Sequence, residues 1–193
     1  MPVPDEWKRR GLGCWLGASP SVRQTHPLAD LDITLLILSE HDAFRRGFTA
    51  MDSLTDPTDL ATKWRELSDS LEVHASGEEE VFYPQLLRRV QDSKDAEDAI
   101  KDHNKIRDAV HAVDKHPVGT DDWWKALQAA REETVEHLEE EEHDVLPAFK
   151  DEVSEQKRTE LGLSWLAFRD AHESAKGLSG KDKDPKEYVP DNG

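Results

Sequence analysis

The sequence contains one cysteine, Cys14, among its 193 residues. A disulfide within the chain needs two cysteines and a cysteine-based zinc site needs several, so both are excluded. No run of 18 consecutive apolar residues occurs, so we expect no membrane-spanning helix. The first twenty residues also lack the apolar segment of a signal peptide, which favours a cytoplasmic protein.

Basic residues are also few relative to acidic ones. The chain has 25 lysine and arginine residues against 42 aspartate and glutamate residues, a formal net charge of -17. Nucleic acids and anionic membrane surfaces repel such a protein, so we expect neither as a partner. Most of the acidic residues are expected to form a solvated surface, which could also help to gather cations.

Signals for β-strands are almost absent, because there is no sustained alternation of apolar and polar residues and no Asn-Gly or Asp-Gly hairpin, that is, no such pair between two apolar runs. Apolar residues instead recur at helical spacing in four long segments that begin near residues 30, 57, 93 and 121. Short connections favour antiparallel neighbours. We therefore predict an all-α protein: an up-down-up-down antiparallel four-helix bundle with an additional C-terminal helix and irregular termini.

The composition changes along the chain and suggests its organisation. Proline and glycine recur over residues 1–28, which predicts an irregular N-terminal arm. The bundle is expected over residues 29–152, and an additional helix packed on it over residues 153–176. The remainder, residues 177–193, is rich in glycine, lysine, aspartate and proline, and is predicted to be disordered or draped over the body.

The most informative feature is an internal duplication. A histidine is followed by glutamates four and five residues later and by a proline ten residues later, at His74, Glu78, Glu79 and Pro84, and again at His137, Glu141, Glu142 and Pro147. Another histidine precedes each copy in a similar context, His41 in the first and His103 in the second. The offset of 62 to 63 residues predicts two helical hairpins related by a pseudo-twofold axis.

This pattern predicts a paired-metal site. Residues four apart share a face of a helix, so each motif histidine and its first glutamate can reach one point in the bundle interior. A lone pair of this kind is usually a surface feature, but two matched copies with two further histidines make coincidence a poor explanation. Imidazole and carboxylate donors suit iron, manganese and zinc. The predicted metal ligands are His41, His74, Glu78, His103, His137 and Glu141.

The order and spacing of these six residues resemble the bacterial hemerythrin-like family, also called the HHE cation-binding domain, over roughly residues 30 to 150. The resemblance implies an up-down four-helix bundle around two iron ions that are bridged by carboxylates and by an oxo or hydroxo group. It also implies binding of, or reaction with, dioxygen, peroxide or nitric oxide, as a sensor, scavenger or carrier. Manganese or zinc would also suit the donors.

The chain departs from oxygen-carrying hemerythrin in two places. The carrier has a second histidine four residues after that of the third helix, where this chain has Arg107. Its last motif is His-x4-Asp, whereas Glu141 and Glu142 stand four and five residues after His137 here. One iron would then lack an imidazole, which puts reversible oxygen carriage in doubt and favours redox chemistry at an open position.

Two residues could complete the coordination of that iron. His172, on the additional helix, could fold over the end of the bundle. Tyr83 lies nine residues after His74, about 180° around a regular helix, so it would need a bend at Pro84 to face the metals.

Two arginines occupy matching positions in the duplication. Arg45 and Arg107 each stand four residues after a ligand histidine. One interpretation places them beside the metal centre, where they pair with Glu79 and Glu142. The alternative is two surface arginines among many acidic residues.

Two other functions compete with that of a di-iron sensor, scavenger or carrier. One is a di-iron oxidase, oxygenase or peroxide-decomposing enzyme acting at the open iron. The other is a structural metal-binding module that presents its helices to a partner and holds a redox-inert metal such as zinc. The sequence contains no phosphate loop, nucleotide fingerprint or nucleophile with a base, so no catalytic residue is assigned. A ferritin-type site needs two Glu-x-x-His motifs, and only Glu140 and His143 have that spacing.

Overall fold

The computed structural model describes residues 31–89 and 93–192. The predicted arm, residues 1–28, lies outside them. Every regular element of the described residues is helical and none is a strand, which confirms the prediction of an all-helical protein. No helix among them is both long and apolar enough to cross a membrane.

Eight α-helices make up most of the described chain. They are α1 (Ile33–Met51), α2 (Pro57–Gly77), α3 (Tyr83–Arg89), α4 (Ser93–Val113), α5 (Asp121–Glu140), α6 (Leu146–Glu152), α7 (Glu155–Ala171) and α8 (Pro185–Asn192). One π-helical turn, Glu78–Phe82, joins α2 to α3, and another, Glu141–Val145, joins α5 to α6. A 3-10 turn, Glu173–Ala175, follows α7.

Several helices begin at a side chain that accepts a hydrogen bond from the first turn, which satisfies backbone amides that have no partner within the helix. These caps are Asp32 for α1, Asp56 for α2, Thr120 for α5 and Ser154 for α7. In α2 the cap is followed by Pro57, whose missing amide hydrogen costs nothing in the first turn. Short-range sequence signals therefore set these four starts.

The two π turns occupy equivalent positions of the duplication, and proline explains them. Pro84 and Pro147 each come second after their turn and have no amide hydrogen for the carbonyl four residues before them. The backbone widens instead, so that the amide of Tyr83 donates to the carbonyl of Glu78, five residues back. Leu146 donates to Glu141 in the same way.

The core consists of two apolar clusters with a polar layer between them. Along α1, Ile33 and Ile37 belong to one cluster, and Phe44 and Phe48 to the other. His41 lies between them and is fully buried. Helix α4 likewise contributes to both clusters on either side of its histidine, and α2 and α5 do so together with the π turn and short helix that follow each of them. A buried polar layer therefore crosses the interior between the two clusters.

Helix α7 packs against α1 and α2, and one glycine makes its close approach to α1 possible. A Cβ atom on Gly162 would lie 1.7 Å from the carbonyl oxygen of Leu31, just before α1. The adjacent cap, Asp32, also accepts a hydrogen bond of 2.6 Å from Arg158 Nε of α7. The start of α1 is therefore fixed by the helix that follows the bundle in sequence.

The C-terminal segment contains a helix that the composition did not predict. Helix α8 packs against α3 and α4, and its Tyr188 is buried. Asn104 of α4 holds the chain just before it, since its side chain accepts from the amide of Lys183 and donates to the same residue's carbonyl. The buried ring of Tyr188 and the hydrogen bonds of Asn104 hold this polar segment against the rest of the protein. Neither contact produces a hydrophobic periodicity, so the sequence pattern does not predict the helix.

We expect Gly162→Ala to lower the free energy of unfolding by about 1–3 kcal/mol, because the new methyl group overlaps the Leu31 carbonyl. Alanine favours helices over glycine by about 1 kcal/mol, so helix propensity alone predicts the opposite sign. Leu163→Ala, at a half-exposed neighbouring position, is the control. Chemical denaturation measures both variants, and a Gly162→Ala protein as stable as the wild type would contradict the tight contact.

Candidate metal centre

Four histidines meet in the polar layer, one from each long helix. His41 of α1, His74 of α2, His103 of α4 and His137 of α5 are all at most 4% exposed. Their Nε2 atoms approach in pairs, 3.2 Å apart between His41 and His74 and 3.1 Å apart between His103 and His137. The two pairs correspond to the two copies of the duplicated motif.

Two carboxylates connect these imidazole pairs. Glu78 is the first residue of its π turn, and its Oε1 lies 3.1 Å from Nε2 of His74, while its Oε2 lies 3.2 Å from Nε2 of His103. Glu141 is the first residue of the other π turn. Its Oε2 lies 3.5 Å from Nε2 of His41 and 3.7 Å from Nε2 of His137. Each carboxylate therefore faces both imidazole pairs.

The structure brings all six predicted ligands into two groups of donor atoms that could each hold a metal ion. The first group is His41, His74, Glu78 and Glu141, and the second is Glu78, His103 and His137. Within each group the donor atoms lie within 4.8 Å of one another. Glu78 belongs to both groups, which is the arrangement that a bridging carboxylate requires.

The hydrogen bonding of the carboxylates fits bound cations. Both side-chain oxygens of Glu78, and Oε2 of Glu141, are buried and accept no hydrogen bond from the described residues. Burying a carboxylate oxygen without a partner is costly, and the cost is larger when the group is charged. Imidazole nitrogen and carboxylate oxygen together are a suitable donor set for iron, manganese or zinc.

Further carboxylates orient three of the four imidazoles. Nδ1 of His41 lies 2.9 Å from Glu142 and Nδ1 of His103 lies 2.9 Å from Glu79, two equivalent pairs that each join a histidine of one repeat to a glutamate of the other. Such contacts fix the ring and leave Nε2 as the inward donor. The second glutamate of each motif thus has a defined role at the site.

The two arginines of the duplication hold these outer carboxylates. Arg45 Nη1 donates to Glu142 over 2.7 Å. Arg107 donates to Glu79 through Nη1 and Nη2, over 3.0 and 3.1 Å, and through Nε to Glu72. Arg107 therefore replaces the carrier's second histidine with a residue directed at Glu79.

Sequence reasoning missed a third outer carboxylate. Nδ1 of His74 lies 3.0 Å from Glu40, which also accepts a 2.8 Å hydrogen bond from Trp165 and forms an ion pair with Arg169, both of α7. Glu40 directly precedes His41, and that position in the second repeat is Asp102, a side chain one methylene shorter. No carboxylate of the described residues reaches Nδ1 of His137.

Of the two residues that were predicted to complete the coordination, Tyr83 lies at the centre and His172 does not. The hydroxyl of Tyr83 donates to Glu141 Oε1 over 2.7 Å and lies 3.4 Å from Nε2 of His103. The π turn before it supplies the reorientation that a regular helix would lack. His172 belongs to neither donor group; its Nδ1 lies 2.9 Å from the carbonyl of Lys176 and its ring packs on Phe168.

Burial and neighbouring charges give the imidazoles different pKa values. Burial disfavours the protonated form of His74, but Glu78 and Glu40 outweigh it and raise the pKa to about 10. In the same way Glu78 and Glu79 raise the pKa of His103 to about 9 despite its burial. Burial dominates at His137 and lowers its pKa to about 4.

The pKa values of Glu79 and Tyr83 are shifted as well. Burial raises the pKa of Glu79, but hydrogen bonds and charge from His103 and Arg107 bring it down to about 2. Burial, together with the charge of Glu141, raises the pKa of Tyr83 well above its usual range. In the metal-free protein at neutral pH, Glu79 is therefore ionised and Tyr83 keeps its proton.

A buried and duplicated set of imidazoles and carboxylates inside a helical protein defines a metal-binding helical domain. The family model of the hemerythrin HHE cation-binding domain matches residues 32–149, more than half of the chain. The chain belongs to this family. Comparisons with curated proteins and with solved structures found no match.

Metal binding at neutral pH should release protons, because the imidazoliums of His74 and His103 cannot act as ligands. Their raised pKa values keep both protonated at pH 7 in the metal-free protein. We expect about two protons released per chain at pH 7, fewer as the pH rises through about 9 and 10, and an apparent affinity that increases over that range. Calorimetry in buffers of different ionisation enthalpy measures the release, and a binding enthalpy independent of the buffer would contradict it.

Proposed function

We propose that the chain is a non-haem di-iron protein whose centre binds or reacts with dioxygen, peroxide or nitric oxide. The observation that carries the proposal is Glu78, whose two oxygens lie 3.1 and 3.2 Å from imidazoles of different pairs and accept no hydrogen bond from the described residues. These residues would hold two iron ions, with an oxo or hydroxo group between them in the ferric form; in the ferrous form the irons would supply the electrons for such chemistry.

The proposed ligands follow the two donor groups. His41 and His74 would hold the first iron, and His103 and His137 the second. Glu78 and Glu141 would bridge the two irons, because each faces both imidazole pairs. Each iron would then have two imidazoles and two bridging carboxylates, which leaves room for an exogenous ligand, and the cavity lined by His137 and Glu141 makes the second iron the accessible one.

Tyr83 is the proposed additional protein ligand, or hydrogen-bond donor, of the second iron. Its hydroxyl lies near both Glu141 and His103. Arg107 is engaged with Glu79 and Glu72 and is not available to replace the carrier's imidazole. An oxygen donor in place of a nitrogen donor favours redox chemistry over reversible carriage of dioxygen.

The proposed architecture is an up-down-up-down antiparallel bundle of α1, α2, α4 and α5 within residues 29–152. Contacts of α1 with α2 and of α4 with α5 support it, as do the short connections. Helix α7 is then an additional helix within residues 153–176, and it supports Glu40 through Trp165 and Arg169. The cytoplasmic location and the absence of a nucleic-acid partner stay predictions.

One observation supports access of a small ligand to the site, which the alternative of an enzyme that decomposes peroxide also requires. A cavity of about 260 Å³ is lined by His137 and Glu141, so small molecules could approach the second iron from the surface. Its size suits a ligand of a few atoms better than a large organic substrate. Sensor, scavenger and enzyme would then share one site and differ in turnover.

Metal content and the ultraviolet-visible spectrum, before and after addition of peroxide, test the proposed centre. About two irons per chain, with oxo-to-iron charge-transfer bands that change with peroxide, are expected. A colourless protein that holds zinc and does not respond to peroxide would instead support a structural module.

We expect His74→Ala and His137→Ala each to abolish binding of two metals, because each removes an inward nitrogen that no neighbouring described residue replaces. His143→Ala is the matched control, since His143 is exposed on the π turn after α5 and its Nδ1 contacts the carbonyl of Glu139. Metal analysis of purified variants measures the effect. Two irons retained in either test variant would refute the ligand assignment.

Tyr83→Phe should keep two irons but lose any phenolate-to-iron absorption in the visible spectrum, since ligation requires a deprotonated oxygen. The chain has two tyrosines, and Tyr188→Phe provides the control because Tyr188 contacts a backbone carbonyl, that of Glu79. An unchanged spectrum in Tyr83→Phe would show that the hydroxyl only donates a hydrogen bond at the centre.

A further inference from the structure

An acidic cavity leads from the surface to the second group of donors. It opens between α4 and the end of α5 with the π turn that follows, and its volume is about 260 Å³. Glu140 and Asp144 line it where it is exposed, and Asp102 is half-buried. His137 and Glu141 line it as well and are buried, so they form its inner end.

The inner end carries a carboxylate oxygen that suits a cation. Glu141 is 1% exposed, and its Oε2 accepts no hydrogen bond from any described residue. The other oxygen is held by the hydroxyl of Tyr83. A cation that moved inward along the cavity would meet this oxygen together with His137.

Two of the outer carboxylates that line the cavity have cationic partners and two have none among the described residues. Asp98 is paired with Lys94, which also lines the cavity, and with Lys101. Asp102 is paired with Lys105 at 2.6 Å. In contrast, no ion pair within 4.0 Å reaches Glu140 or Asp144 from the described part of the chain. Unneutralised carboxylates at a narrow opening raise the local concentration of cations and steer them inward.

A carboxylate contacts Nδ1 of each of the other three imidazoles. Glu142 with Arg45 covers His41, and Glu40 with α7 covers His74. Glu79 covers His103 and is itself held by Arg107 and by Lys183 at 2.8 Å. His137 alone has no such cover among the described residues, and it is the imidazole that lines the acidic cavity.

A second cavity approaches the centre but is less suited to a cation. It has a volume of about 250 Å³ and reaches His103 between α2 and α4. Arg107 lines it together with Asp69, Glu72 and Asp114, and neither Glu78 nor Glu141 does. A cation on that path would meet a guanidinium before any bridging carboxylate.

We propose that the acidic cavity between α4 and α5 is the route by which divalent metal cations reach the second position, with Glu140 and Asp144 as the outer, transient ligands. The proposal rests on the metal centre proposed above. Oxygen donors at its mouth suit hard divalent cations and hold them weakly enough to pass them on. The carboxylates then govern the rate of loading and leave the final amount of bound metal unchanged.

The rate of cobalt(II) uptake by the metal-free protein tests the route, because cobalt absorbs visibly once nitrogen and oxygen ligands bind it. We expect Glu140→Gln combined with Asp144→Asn to slow uptake at low salt by about threefold to tenfold, with the final cobalt content unchanged. The wild-type rate should fall toward that of the variant in about 0.5 M salt, where charges are screened over a few ångströms.

Asp151→Asn combined with Glu152→Gln is the matched control. Both residues are exposed on α6, outside the cavity, and the pair changes the net charge by the same amount. An unchanged uptake rate in the control supports a local route. Equal slowing in both double variants, or none in the cavity variant, overturns the route while the metal centre stands. A wild-type protein that binds no second cobalt ion overturns the centre and the route together.

Discussion

The negative charge of Glu78 and Glu141, buried between four helices, is the constraint on which the rest of the centre depends. Carboxylates at most 1% exposed are costly unless cations or donors surround them. Four imidazoles lie around them, and three of these are in turn held by outer carboxylates. Those outer carboxylates contact Arg45, Arg107 and Lys183, so acidic and basic residues alternate from the centre to the surface.

This alternation explains why elements outside the duplicated motif matter to the site. Glu40 belongs to α1, but its carboxylate is fixed by Trp165 and Arg169 of α7. Glu79 follows Glu78, which faces both imidazole pairs, yet Lys183 of the C-terminal segment reaches Glu79. The additional helix therefore supports the first group of donors, and the C-terminal segment supports the second.

The duplication supplies a symmetric framework, and single substitutions make its two halves unequal. Tyr83 corresponds to Leu146, so only the first repeat places a hydroxyl beside one of the two central carboxylates, Glu141. Glu40 corresponds to Asp102, so only His74 is backed by a carboxylate from that position. Together these differences leave His137 facing a cavity, and they make the second group the more accessible one.

The sequence by itself determined the helical class, the six converging donors and the equivalence of the two halves. All three features depend on the spacing of residues along the chain. Residues four apart share a face of a helix whatever surrounds it, and two segments with the same spacing adopt the same geometry. The prolines also marked where each helix would deviate, although not that the deviation would be a π turn.

Only the tertiary structure decided that Tyr83 reaches the centre while His172 does not, and that Glu40, Lys183 and Tyr188 belong to its surroundings. Such contacts join residues 34 to 125 positions apart and depend on how helices rotate and pack against one another, which no local pattern records.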